Sequence, residues 1–160
     1  MESRKKWWHA IFISERILGA ILSIGYLSRV LHWPYDELLV MVGLFGFSGL
    51  YLIISYLISD PGRSQVLIPV KDSFDHVSHR LMQPIYLGMV VSLVGLLFSI
   101  LHWEGNTILC MVGSISGLAP LILYSILKGA NPTAFFRFTL LRVAVICGPA
   151  GYLTLRYFLG

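Results

Sequence analysis

The sequence predicts an all-α integral membrane protein, with two parallel-repeat helical hairpins supplying four transmembrane helices and a fifth helix following them. Three observations carry that prediction. Of 160 residues, 56% are apolar and 12% charged, about half the charged share of ordinary soluble domains, and the mean hydropathy is +0.76. The apolar residues form five continuous runs of about 20, the length that crosses a hydrocarbon core as a helix, with none of the alternation of barrel strands. Finally, "LHW" at 31–33 and "MVG" at 41–43 return at 101–103 and 111–113.

The first run spans Trp7 to Leu31, with Glu15 and Arg16 near its charged end. These two would interrupt the apolar centre of a signal peptide, and no small-x-small cleavage site follows, so the segment is expected to be retained. The second run is Leu38 to Ile58, the third Gln83 to Leu101 and the fourth Thr107 to Leu127. The fifth, Phe138 to Phe158, contains Arg142, and Pro149 at its middle predicts a kink. Between the second and third runs, Phe74, Val77, Leu81 and Met82 recur at helical spacing from Lys71 onward. That pattern predicts an amphipathic surface helix feeding the third span. The chain therefore divides into a first hairpin (1–58), a loop (59–82), a second hairpin (83–128) and the fifth helix (129–160).

Basic residues predict the orientation. Arg4, Lys5, Lys6 and Arg16 open the first span, Arg63, Lys71 and Arg80 lie between the second and third, and Lys128 and Arg137 lie between the fourth and fifth. The opposite side holds only Arg29 and Arg156. This asymmetry places the amino terminus in the cytoplasm and both His-Trp turns outside it. The carboxyl terminus is outside too if the fifth segment spans, and inside if it lies in the interface. The net charge of +4 forms no nucleic-acid-binding stripe; membrane lipid is the expected partner of these residues. Cys110 and Cys147 sit in separate apolar runs, as buried free thiols do, without disulfide or zinc spacing.

Setting 16–58 against 86–128 matches roughly a quarter of positions, among them Gly25 with Gly95 and Ser55 with Ser125. Each unit spans twice, so both must cross in one direction, as parallel repeats about an axis along the membrane normal. Gly43, Gly46 and Gly49, with Gly113, Ser116 and Ala119 at the matching places, predict a ridge of small residues for close helix packing.

"RVLHWP" at a hairpin turn, followed by an apolar helix carrying Gly43, resembles the amino-terminal membrane hairpin of the GldL family. That family supplies a subunit of the ion-driven motor behind gliding motility and type IX secretion. Its pattern has a basic residue three before the histidine, where Arg29 stands in place of lysine. The resemblance covers residues 17–57 and again 87–127, and leaves the fifth helix outside it. It implies the bacterial inner membrane and a homo-oligomer or larger membrane complex. One departure counts against a self-sufficient motor. The family's buried glutamate, one turn past the second-helix glycine, handles the ion; Phe47 and Gly117 occupy those positions, and spans two to five contain no Asp or Glu. Nor do these residues include the family's long cytoplasmic tail.

Arg29, His32 and Asp36 follow at spacings of three and four, against Ser99, His102 and Asn106 in the second unit. Both charges vanish together, which suggests that Arg29 and Asp36 pair. His32 with Trp33 and His102 with Trp103 read as interfacial anchors, the imidazoles capping helix-end carbonyls. Partner docking or an ion response is the alternative. A paired-histidine metal or haem site is disfavoured, since nothing else would line it, and no cofactor or metal is expected. His76 and His79 read as a solvated face. No nucleophile–base set, phosphate loop or dinucleotide fingerprint occurs, so catalysis is not expected. The predicted role is a non-catalytic scaffold or accessory subunit of an envelope complex. The rivals are an ion-conducting motor element whose acid comes from a partner, and a small transporter.

Overall fold

The computed structural model describes residues 2–59, 75–128 and 134–159. They form five helices: α1 (Glu2–Val30), α2 (Asp36–Ser59), α3 (Asp75–Ile100), α4 (Asn106–Lys128) and α5 (Ala134–Leu159). Each contains a stretch long and apolar enough to cross a membrane. Large apolar side chains stand exposed on all five, which fits a multi-pass membrane protein.

The helices outrun the apolar segments because polar residues make good first turns. Asp36 and Glu37 open α2, where their charge complements the exposed N–H groups. Asp75 to Ile100 is one helix, so Val77, Leu81 and Met82 belong to the first turns of α3 rather than to a separate surface helix. Lys71 and Phe74 lie outside the described residues. Pro149 sits inside α5, which stays helical on both sides of it.

α3 is the centre of the bundle and touches α2, α4 and α5. Half of its span is buried, against 11% for α1. Met82, Ile85, Tyr86, Met89, Leu93 and Leu97 form its buried stripe at spacings of three and four. Among the described residues the backbone of α1 comes close to that of α2 alone, and the backbone of α5 to those of α3 and α4.

Within each hairpin the crossing is set by glycine. A Cβ at Gly25 would stand 2.9 Å from the Val40 nitrogen, and one at Gly95 would stand 2.7 Å from the Cys110 nitrogen. Gly43 lies against Leu22 as Gly113 lies against Ser92, and each pair of contacts is offset by seventy residues. Gly46 meets Leu18, while Gly88 lies against the backbone of Ser116 and Gly117. Gly49 faces open space, so the expected ridge ends one turn early on α2.

The hairpins differ where α5 docks. Ser92 donates to the Cys147 sulfur at 3.5 Å and Ser114 to the Cys147 carbonyl at 3.3 Å. A Cβ at Gly117 would meet the same sulfur at 2.8 Å. The matching positions of the first hairpin are Leu22, Leu44 and Phe47, too large to admit a helix so closely.

Candidate functional site

Among the described residues, two places hold polar chemistry: the paired His-Trp turns, and the gap between α1 and α5. At the turns, α1 and α3 end alike. His32 has φ 54° and His102 φ 55°, in the left-handed region that closes many helices. The Trp33 N–H donates to the Ser28 carbonyl and the Trp103 N–H to the Phe98 carbonyl, both at 2.9 Å. The N–H groups of His32 and His102 donate to Arg29 and Ser99 at 3.2 and 3.4 Å. Backbone N–H groups therefore cap the carbonyls, and the exposed imidazoles do not, contrary to the expectation from sequence. Histidine suits this place because it enters the left-handed region more readily than most side chains. The tryptophan follows for packing, its ring meeting Phe98 edge-on at 5.0 Å in the second unit.

A second left-handed residue precedes the next helix, Tyr35 (φ 74°) in one unit and Gly105 (φ 85°) in the other. Among the described residues no ion pair joins Arg29 to Asp36, so the expected pairing is absent. No three of His, Cys, Asp and Glu gather there as a metal site. The side chains of His76 and His79 lie outside the described ones.

The second place was not foreseen. Arg142 of α5 donates through Nη2 to Glu15 Oε2 of α1 at 2.6 Å, both side chains 14% exposed. Its Nη1 donates to the Tyr86 hydroxyl at 3.4 Å, and Thr139, one turn earlier on α5, bonds the same hydroxyl. The Tyr51 hydroxyl faces the Glu15 carboxylate, yet Glu15 Oε1 is buried without a hydrogen-bond partner. The Tyr51 and Tyr86 rings stand 5.8 Å apart. Two opposite charges held this close form a neutral unit, and neither could be buried alone without a large desolvation cost.

Between α1 and α5, floored by α2 and α3, runs a slot of about 610 Å³. Leu22, Phe47, Leu93, Leu96, Val145 and Pro149 make its walls, and Tyr51 and Arg142 close its end nearest the loops. At the other end Ser99 and Leu153 also line an adjoining cavity of about 370 Å³, with Asn106, Thr107 and Arg156 around it. An apolar channel with a neutral charge pair at one mouth and an arginine at the other can hold a molecule with an apolar body and an anionic end.

A sequence signal for the ion pair did exist. Glu15 stands six residues into its span and Arg142 four into its own, about 9 and 6 Å at 1.5 Å per residue. Spans one and five run the same way in the predicted topology, so acid and base lie at nearly one depth. Among the described residues, fold and site together give a bundle of five helices, each long and apolar enough to cross a membrane, with a charge pair bridging α1 and α5. Comparison with family models, characterised proteins and solved structures finds no match to the chain.

Proposed function

We propose that this chain is a non-catalytic scaffold or accessory subunit of a bacterial inner-membrane complex, related to the GldL membrane hairpin. In this reading two duplicated hairpins cross in parallel about an axis along the membrane normal. The amino terminus is cytoplasmic and the His-Trp turns lie outside. The observation that carries the proposal is the pairing of Glu15 with Arg142 at 2.6 Å. An ion-driven motor needs an intramembrane acid free to take up and release its ion. Here the acid is occupied by an arginine, and Phe47, at the position of the family's glutamate, is part of the slot wall. Such a pair serves to hold α1 against the bundle. The broad apolar faces left on α1, α2 and α5 suit further copies or a larger assembly.

A small transporter is the second reading, and the slot is the observation that favours it. Its apolar walls suit a hydrocarbon better than a polar solute. One experiment separates scaffold, motor and transporter: purification in mild detergent, followed by reconstitution into vesicles. A scaffold purifies as a stoichiometric assembly and carries neither proton nor sodium flux. A flux that disappears in Glu15→Gln would give the acid a conducting role and remove the scaffold reading.

A further inference from the structure

We propose that the slot holds the hydrocarbon chains of an anionic membrane lipid whose head group sits at Arg156, Asn106 and Thr107. The proposal rests on reading the chain as a membrane protein, but on no particular partner or complex.

Length and width suit hydrocarbon chains. From Leu141 to Leu153 the slot follows α5 for twelve residues, about 18 Å at the helical rise, and its volume is about 610 Å³. Extended hydrocarbon chains are about 4 Å across at carbon contact distance, and one or two of them fit. The bulk of the first hairpin points the same way. α5 seats on the second hairpin at Ser92, Ser114 and Gly117, whereas Leu22, Leu44 and Phe47 line the slot. The slot's length is also close to one leaflet of a hydrocarbon core about 30 Å thick.

Charge decides which end takes the head group. The guanidinium of Arg142 is neutralised by Glu15, while Arg156 has no ion pair among the described residues. Arg156 lines the adjoining cavity with Asn106 and Thr107, at the positive amino-terminal end of α4. Asn106 already accepts from the Thr107 N–H at 2.6 Å and from its hydroxyl at 3.1 Å, so its amide group is left to donate outward. An arginine, an amide and a helix amino terminus at the mouth of an apolar slot select a phosphate-bearing head. Because Ser99 and Leu153 belong to both cavities, head and chains are served by one continuous space.

The test uses the full chain, purified in detergent, delipidated, and titrated with phosphatidylglycerol or phosphatidylethanolamine under native mass spectrometry. One phosphatidylglycerol per chain should be retained under activation that strips phosphatidylethanolamine. Arg156→Gln should lower phosphatidylglycerol occupancy about tenfold, the loss of one charge-assisted contact. Gly19→Leu should abolish retention of both lipids. A Cβ at Gly19 has only the Phe47 ring edge at 4.0 Å, so the added side chain enters the slot without displacing backbone. Ser23→Leu fills the slot from the next turn and keeps the test standing if Gly19→Leu fails to fold. Glycerol phosphate, which has no hydrocarbon chain, should not compete. Equal retention of the two lipids, undiminished binding in the slot-filling variants, or full competition by glycerol phosphate would overturn the proposal. Release of the protein from membranes by alkaline carbonate would instead overturn the membrane reading itself.

Discussion

Glu15 and Arg142 fasten α1 to α5 through a 2.6 Å contact, although among the described residues the two helices nowhere bring their Cα atoms within 8 Å of each other. The long side chains alone cross the gap, and the space left beside them is the slot. Loss of either partner leaves the other charge largely buried without an opposite charge beside it.

Arg142→Gln or Glu15→Gln should therefore destabilise the bundle by about 3 kcal/mol, at the lower end for broken buried pairs because each side chain keeps some exposure. The double change to Gln at both positions should cost less than either single change. Thermal unfolding in detergent measures this directly, and additive losses would show that the two residues act separately.

Backbone conformation predicts the behaviour of the repeated histidines. His32→Gly and His102→Gly should leave stability unchanged or raise it, and valine at either position should lower it by more than 1 kcal/mol, roughly the left-handed penalty. Tyr35→Gly should stabilise by about 1 kcal/mol, since the second unit already has Gly105 there. Loss of complex assembly in the glycine variants, with folding intact, would assign the imidazoles a role beyond shaping the turn.

Glycine packing gives a contrast on equivalent-looking positions. Gly113→Leu should cost about 3 kcal/mol, because its Cβ would meet the Ser92 backbone. Gly49→Leu, which meets open space, should stay within about 0.5 kcal/mol of the parent. Equal unfolding temperatures for the two variants would contradict the crossing described for α3 and α4.

Topology is testable with single cysteines. Tyr35→Cys and Glu104→Cys should react with an impermeant thiol reagent applied outside the cytoplasm, and Ser64→Cys should not. Cys110 and Cys147 are buried and should stay unlabelled, so they need not be replaced. Reaction of turn and loop positions from the same side would exclude parallel hairpins.

Much of this architecture was legible because it is local. Five apolar runs of membrane length dictate five helices, whatever those helices touch, since each satisfies its own backbone hydrogen bonds. The repeated Leu-His-Trp likewise marked two alike turns, because a helix cap involves only about six consecutive residues. What each face meets is another matter. Glycines at 43, 46 and 49 look equivalent along the chain, yet only the first two face α1, since each step of three residues falls about 60° short of a full helical turn. Gly117 and Phe47 are matched positions, but only contact with Cys147 makes one a seat for α5 and leaves the other as a wall of the slot. Glu15 and Arg142 are 127 residues apart. Their depths could be read from the spans, but their meeting depended on the azimuth of two helices that touch different neighbours. Packing among α2, α3 and α4 sets that azimuth, and no single segment encodes it.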